Sequence, residues 1–139
     1  MDRSASELIC ALLLIESGYV VSSPIAQVAR YDLIAEKDGQ MFRIQVKSTM
    51  YNYTDYNFKK YQAKVKRKVK YKLNDFDFYA IHIIELNRWY FIPIAVAVKA
   101  NNINLTIGKS QGKYERYLID KLVHLSYDNR PGDSKIKSD

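Results

Sequence analysis

Four polar residues in the first third of the chain have the types that metal-assisted hydrolysis of a phosphodiester requires. Glu7 falls in a predicted first helix, Asp32 begins a predicted strand, and Gln45 and Lys47 lie on the strand after it. Carboxylate and amide oxygens suit Mg²⁺, which neutralises charge developing on a phosphate. A neighbouring lysine stabilises or orients the attacking water. Together these residues predict a metal-dependent hydrolytic site.

The predicted first helix carries Glu7. The residues Ser4-Ala5-Ser6-Glu7 match a capping box, and the apolar residues after them recur at helical spacing until Gly18 supplies a C-terminal stop. The structural alternative for Glu7 is that it serves only as the acid of this capping box. The spacing leaves both roles open.

A predicted β-hairpin carries the other three residues. Residues 31–36 and 41–48 are rich in strand formers, and the turn signal Asp38-Gly39 joins them. Polar and apolar residues alternate in the second arm, which places Arg43, Gln45 and Lys47 on one face. Asp32 can therefore meet that face across the hairpin. The structural alternatives are that Asp32 caps a turn and that Gln45 and Lys47 form an exposed strand face.

The remaining segments predict an α/β fold with a mixed central β-sheet, centred on this hairpin and flanked by helices at the two chain ends. The other predicted strands are residues 19–22, 76–85, 89–94 and 101–108, of which the second and third form another hairpin. The last helix is predicted from the spacing of Tyr117, Leu118, Lys121, Leu122 and Leu125. Residues 1–128 are expected to form one domain with a basic extended excursion at 49–73, and residues 129–139 a disordered polar tail.

The composition favours a polyanionic partner. Twenty-two Lys and Arg against 15 Asp and Glu give a formal charge of +7, which suits nucleic acid or an anionic surface. The single cysteine, Cys10, excludes an intramolecular disulfide framework and is expected to be a buried structural thiol. The apolar run at residues 8–15 is too short to span a bilayer. We therefore expect a soluble, cytoplasmic protein without membrane association.

Several of these segments resemble the PD-(D/E)XK nucleases, especially the homing endonuclease branch associated with bacterial group I introns. The resemblance extends over roughly the first two thirds of the chain. It is carried chiefly by Gly18-Tyr19-Val20-Val21-Ser22, by Arg30-Tyr31-Asp32-Leu33-Ile34, and by Phe42-Arg43-Ile44-Gln45-Val46-Lys47. It implies a restriction-endonuclease-like core, a DNA substrate, and Mg²⁺ as cofactor, for which Mn²⁺ can substitute.

The resemblance also implies a role for each site residue. Asp32 resembles the metal-binding aspartate, Lys47 the catalytic lysine, and Glu7 the helix glutamate that completes the metal site. Gln45 stands where the family usually has Asp or Glu, a departure that the homing branch shares. A glutamine carbonyl can coordinate Mg²⁺ but more weakly than a carboxylate, so we expect DNA phosphate oxygens to supply part of the coordination.

A lysine-rich stretch inside the excursion predicts DNA contacts. Strict alternation of lysines would align them on one face of an extended segment, as a ridge for phosphate groups. The predicted DNA-binding residues are Lys64, Lys66, Arg67, Lys68, Lys70 and Lys72. The structural alternative is a solvated edge strand whose lysines discourage aggregation. Base readout is left open among Asn52, Asn57, Gln62 and Arg67.

Other polar residues favour structural roles. His82 and His124 lack the clustered partners of a zinc site, and Asp75 and Asp77 flank a strand start, where turn capping is expected. Trp89 is expected to pack against the core or an oligomer contact. Arg30 and Arg43 lie beside the predicted site, where phosphate contact and local ion pairing are equally compatible with the sequence.

The predicted function is therefore site-specific cleavage of double-stranded DNA. Cutting both strands requires two active sites, so we expect a homodimer or homotetramer. The alternatives are a Holliday-junction or other structure-selective nuclease, and a DNA-binding module that keeps the fold without the chemistry. Charge alone leaves an RNA target open.

Overall fold

A five-stranded mixed sheet lies at the centre of the protein. The computed structural model describes residues 3–65, 70–107 and 112–126. In chain order the helices and strands are α1 (Arg3–Glu16), β1 (Val20–Ser22), β2 (Leu33–Lys37), β3 (Gln40–Ser48), β4 (Met50–Asp55), β5 (Phe58–Lys64), β6 (Phe78–Ile83), β7 (Arg88–Pro93), α2 (Ile94–Ala97) and β8 (Asn102–Ile107). The central sheet has the order β1-β2-β3-β6-β7, and a second sheet has the order β4-β5-β8. The predicted α/β class with a mixed central sheet is confirmed.

Helix α1 ends as predicted but begins earlier than predicted. Gly18 has φ +94°, its N–H donates to Ile15 O, and Tyr19 N–H donates to Leu14 O, which is the Schellman arrangement at a helix C-terminus. The N-terminal prediction is wrong: α1 begins at Arg3, so Ser4 lies inside the helix and Glu7 lies beyond its first turn. The capping box therefore does not account for Glu7.

The β2–β3 hairpin forms as the sequence predicts. Its register pairs Lys37 with Gln40, leaving Asp38 and Gly39 as the two turn residues. Both have positive φ, 53° and 79°, as a two-residue type I′ turn requires. On its other side β3 runs parallel to β6, with Gln45 opposite Tyr79 and Lys47 opposite Ile81. Strand β3 is thus an interior strand, and both of its edges are hydrogen-bonded.

The two faces of the central sheet pack against different layers. On one face, α1 covers apolar side chains of β3 and β6, including Phe42, Ile44 and Val46. On the other face, Tyr79 and Ile81 of β6 pack with buried residues of the second sheet, among them Tyr61, Ala63, Ile103 and Leu105. The polar face of β3 therefore points toward a layer of protein rather than toward open solvent.

The excursion at residues 49–73 contains regular structure that the sequence did not predict. Strands β4 and β5 form a hairpin whose turn residues, Tyr56 and Asn57, both have positive φ. Strand β5 then pairs antiparallel with β8. The segment is extended, as expected, but the Tyr-Asn turn lacks the glycine that normally marks such a hairpin.

The second predicted hairpin is also confirmed. Strands β6 and β7 pair antiparallel, with Ile83 opposite Arg88. A 3₁₀ turn at Ile84–Leu86 and a left-handed Asn87 connect them. Strand β8 lies within the range predicted for it. No helix in the described part of the chain is long and apolar enough to cross a membrane.

The predicted C-terminal helix is wrong. A 3₁₀ turn at Glu115–Tyr117 is followed by chain that forms no helix as far as residue 126. Leu118 bridges to Tyr90, and Ile119 N–H donates to Trp89 O at 2.9 Å. Strand β7 is an edge strand with backbone groups available for pairing, and Val123 and Leu125 alternate with exposed neighbours in the extended pattern. Leu118 and Ile119 therefore pair with the β7 edge in place of forming the predicted helix. The predicted tail, 129–139, lies outside the described residues.

Candidate active site

The structure places Asp32 directly against β3. The Asp32 N–H donates to Ile44 O at 2.8 Å, and its Oδ2 accepts from Val46 N–H at 2.8 Å. These two bonds hold the carboxylate beside the backbone between Gln45 and Lys47. The convergence of Asp32 with this strand, expected from the hairpin, is therefore observed.

Gln45 and Lys47 are both buried. Their exposed fractions are 7% and 9%, so the alternative that they form an exposed strand face is wrong. Lysine is almost never fully buried unless it is paired, because desolvating a charge is costly. Two buried polar residues on one face of β3 beside a carboxylate are an arrangement typical of functional sites.

The amine of Lys47 has an identified acceptor. Nζ donates to the hydroxyl of Tyr71 at 3.3 Å and lies 5.4 Å from the centroid of the Tyr71 ring. Sequence reasoning missed Tyr71, because it lies 24 residues beyond Lys47 and no local pattern predicts that its segment contacts β3. Only the packing of chain segments distant in sequence identifies it.

Glu7 lies on helix α1 and is half-buried. Helix α1 packs on the Ile44 and Val46 face, and Cys10 of α1 is fully buried there. The pKa of the Cys10 thiol is raised, chiefly by burial and also by the negative charges of Asp32 and Glu7. Glu7 acts on this thiol from the same helix, three residues away, and Asp32 acts on it from beside β3.

A chain of buried and partly buried hydrogen bonds anchors α1 to the end of β3. Ser48 donates to Ser6 Oγ, and Ser6 lies 2.9 Å from His82 Nδ1. On the far side of the ring, His82 Nε2 lies 2.9 Å from Asn87 Oδ1. Because this amide oxygen only accepts, Nε2 carries the ring proton and Nδ1 accepts from Ser6. The residues next to Glu7 and Lys47 are therefore tied together.

His82 gives the fold a pH dependence. It stacks on Trp89 at a centroid distance of 4.1 Å; burial lowers its pKa, and the Asn87 bond opposes that change only in part. The unfolded chain takes up a proton below the ordinary histidine pKa of about 6.5, whereas the folded chain stays neutral to lower pH. His82 therefore leaves stability unaffected above pH about 6.5 and reduces it as the pH falls below that value.

We expect His82→Gln to flatten this pH dependence. The wild-type protein should lose more stability than His82→Gln between pH 6.5 and 5.5, because only the wild-type unfolded chain gains a proton at this position. Denaturant unfolding at pH 7.5, 6.5 and 5.5 measures it. His124→Gln is the matched control, because His124 is exposed. Equal slopes in all three proteins would contradict the assignment.

The donor set suits a hard divalent cation. Glu7 and Asp32 offer carboxylate oxygens and Gln45 a neutral carbonyl, all ligands that Mg²⁺ accepts. The Val46 bond uses one of about four acceptor positions on Asp32. Within residues 3–65, 70–107 and 112–126, no group of three His, Cys, Asp or Glu side chains is placed to hold a metal ion. The predicted ligands are Glu7, Asp32 and Gln45, and only two of these are of those four types.

The basic and acidic residues next to the site have structural partners. Asp77 Oδ2 accepts from Arg43 N–H at 2.8 Å and lies 3.6 Å from Arg43 Nε, which favours the ion-pair role for Arg43. Asp75 Oδ2 accepts from Lys72 N–H, in agreement with turn capping. Arg30 is exposed. Trp89 packs in the core, as expected.

Only part of the predicted lysine ridge can be placed. Lys64 is exposed at the end of β5, and Lys70 and Lys72 are exposed outside any strand. Lys66, Arg67 and Lys68 lie outside the described residues. Of the four residues considered for base readout, Asn57 occupies the β4–β5 turn, and Gln62 donates to Asn104 Oδ1 across the second sheet.

Comparison with known proteins agrees with this geometry. A bacterial homing endonuclease, I-Ssp6803I, has a similar fold, with a TM-score of 0.70 and 22% sequence identity over 83% of this chain and 82% of that one. No curated protein matches the chain. A family model described as PD-(D/E)XK endonuclease matches residues 3–120, a range that includes Glu7, Asp32, Gln45 and Lys47. The chain therefore belongs to the PD-(D/E)XK endonuclease family.

Proposed function

We propose that this protein is a metal-dependent endonuclease that hydrolyses DNA phosphodiester bonds at a specific site, acting in homing. The observation that carries the proposal is the buried pair Gln45 and Lys47 beside the Asp32 carboxylate. A folding role alone would favour apolar residues at these two positions, because each is surrounded by protein. A hydrolytic site needs polar groups there.

Each side chain contributes a separate function to the proposed reaction. Glu7, Asp32 and Gln45 would hold the cation through oxygen atoms, and the cation would neutralise charge on the phosphate and lower the pKa of a bound water. Lys47 would stabilise negative charge on the phosphate oxygens with its ammonium. The low exposure of Gln45 and Lys47 limits competing water and strengthens both effects.

With Gln45 the proposed site carries two carboxylates, Glu7 and Asp32. It is therefore less negative than a site with Asp or Glu at position 45. A neutral ligand attracts a divalent cation less strongly, but it also repels the incoming phosphate less. We infer that metal binding strengthens when DNA supplies phosphate oxygens. Mn²⁺, which accepts the same ligands, should support the reaction as well.

The homing role is supported by the fold. I-Ssp6803I is a bacterial homing endonuclease, and the shared fold supports proposing the same role for this chain. We also propose that basic residues at the end of β5 and after it contact DNA phosphates. They are the exposed Lys64, Lys70 and Lys72, together with Lys66, Arg67 and Lys68.

We also propose that the active form is a homodimer or homotetramer. Each chain carries one proposed site, and cutting both strands of a duplex needs two. Helix α1 exposes Leu8, Leu12 and Ile15 by 69%, 60% and 53%. Their spacing places them on one side of the helix, and an exposed apolar stripe of this kind supports self-association.

The decisive experiment compares cleavage of two substrates. A library of long randomised duplexes and a four-way junction are each incubated with wild-type protein in Mg²⁺, Mn²⁺ or EDTA. We expect cutting at one long duplex sequence with either metal and none with EDTA. Junction-selective cutting would replace the homing proposal with a structure-selective nuclease. Tight DNA binding without cutting under any metal condition would indicate a non-catalytic binding module.

A further inference from the structure

Tyr71 contacts the reactive end of Lys47, and the family match does not assign it a role. The Lys47 Nζ donates to the Tyr71 hydroxyl at 3.3 Å. Tyr71 belongs to neither of the strands that carry Asp32 and Lys47. A third chain segment therefore takes part in defining where the ammonium lies.

The Tyr71 ring is held in place by two other aromatic rings. It meets Phe76 edge to face at 5.1 Å and Tyr79 at 6.2 Å, and these two rings meet each other at 4.8 Å. Phe76 and Tyr79 are both almost fully buried. Tyr79 pairs with Gln45 across the β3–β6 edge, so the aromatic cluster is anchored to the strand that carries the site.

The backbone next to Tyr71 is also held. Lys72 N–H donates to Asp75 Oδ2 at 2.8 Å, and Asp75 N–H donates back to Lys72 O at 3.0 Å. This reciprocal pair closes a turn immediately after Tyr71. The hydroxyl therefore sits on a side chain whose ring and following backbone are both constrained.

A lysine needs such an external constraint. Its four-carbon stem is flexible and its ammonium has three rotatable donors, whereas stabilising a reacting phosphate requires the charge at a nearly constant position. A phenol oxygen accepts a hydrogen bond without carrying charge. It can therefore orient the ammonium without neutralising its charge. A carboxylate in the same place would neutralise that charge.

From this geometry we propose that Tyr71 is a positioning residue for the reaction: its hydroxyl accepts a hydrogen bond from Lys47 and holds the ammonium at the scissile phosphate. This inference rests on the proposed endonuclease function. The hydroxyl is assigned the effect because it is the group that accepts from Nζ. The ring also lies 5.4 Å from Nζ, and Tyr71→Phe keeps that contact while it removes the hydroxyl.

Tyr71→Phe tests the proposal by removing only the hydroxyl. The matched control is Tyr61→Phe, which removes a hydroxyl that donates to Glu85 Oε1 at 2.7 Å in the second sheet. Single-turnover cleavage at saturating DNA should slow by roughly 10- to 100-fold in Tyr71→Phe, the range expected when a reacting group is displaced slightly. DNA affinity should change by less than about twofold, and Tyr61→Phe should cut at the wild-type rate.

A second measurement is independent of cleavage. In metal-free protein at constant pH, the hydrogen-bonded ammonium of Lys47 should give a slowly exchanging Nζ proton signal by NMR in wild type and Tyr61→Phe. Tyr71→Phe should lose that signal while retaining the wild-type amide spectrum. If wild type cuts no DNA, the endonuclease proposal fails, and this signal still tests the contact.

The following results would overturn the inference. An unchanged cleavage rate in folded Tyr71→Phe would show that the hydroxyl does not position Lys47. A faster rate would show that the contact restrains the lysine. Equal losses of rate and DNA affinity, with an altered amide spectrum, would show that Tyr71 only maintains the fold.

Discussion

Lys47→Met is expected to abolish cleavage while leaving most of the DNA affinity intact. The substitution removes the ammonium but keeps an unbranched apolar side chain of similar length in the buried position. Loss of a charge that stabilises the reacting phosphate should lower the single-turnover rate by about 10²–10³-fold or more. Affinity should fall little, because most binding energy comes from phosphate contacts elsewhere.

The same substitution should not destabilise the fold. Lys47 is 9% exposed, and a buried charge opposes folding unless its interactions compensate for desolvation. Thermal unfolding of Lys47→Met should therefore occur at or above the wild-type temperature, as is often observed when a functional polar residue is replaced. This result would separate catalytic loss from misfolding.

Lys64→Met is the matched control for Lys47. Lys64 is exposed at the end of β5, so its loss should weaken DNA binding modestly and reduce the salt dependence of binding by about one phosphate contact. Its cleavage rate at saturating DNA should equal that of wild type. Parallel losses of affinity and cutting in Lys47→Met would instead make Lys47 a DNA-binding residue.

Asp32→Asn is expected to abolish cleavage without unfolding the hairpin. The Asp32 Oδ2 accepts from Val46 N–H, and an asparagine carbonyl can accept the same bond. The negative charge is lost, and with it most of the attraction for a divalent cation, worth several kcal/mol for charges about 4 Å apart near a protein surface. Cleavage should fall by at least about 10³-fold.

Asp32→Ala separates the two functions of this residue. It removes both the charge and the acceptor, so Val46 N–H loses its partner, at a cost of about 1–3 kcal/mol in stability. Denaturant unfolding should show this loss for Asp32→Ala but not for Asp32→Asn. Metal binding, measured by calorimetry on DNA-bound protein, should be weakened in both variants.

Asp77→Asn is the matched control for Asp32. Asp77 Oδ2 accepts from Arg43 N–H on the same strand, again at 2.8 Å, so the two aspartates share a structural role. Asparagine can accept this bond as well, and Asp77 is outside the proposed metal ligands. Asp77→Asn should therefore cut DNA at nearly the wild-type rate. Equal loss of cleavage in both Asn variants would show that Asp32 acts only through the fold.

The local elements near the site were predictable because their signals are local. Asp38-Gly39 adopts the positive φ values of a type I′ turn, and the alternation after it decides which side chains share a face. Gly18 ends α1 for the same kind of reason, since the left-handed conformation there favours glycine. These short-range constraints are sufficient to place Asp32 beside the part of β3 that carries Gln45 and Lys47.

The errors of prediction arose where distant segments compete. The spacing of Tyr117, Leu118 and Leu122 is helical, yet the chain pairs with the open edge at Trp89 and Tyr90. An unpaired strand edge offers hydrogen bonds that outweigh a weak helical preference, and no window of sequence contains that information. The β4–β5 hairpin was missed because its Tyr56-Asn57 turn lacks the usual glycine. The pairing of β5 with β8 joins segments far apart in the sequence.

The sequence by itself therefore determined the helix, the hairpin and the types of residue at the candidate site. Only the tertiary structure decided that Gln45 and Lys47 are buried, that Asp32 is bound to the β3 backbone, and that Tyr71 meets the Lys47 amine. The physical reason is that turn geometry and alternation depend on neighbouring residues. Burial and long-range hydrogen bonds depend on which sheet faces pack together, and that is decided by the whole chain.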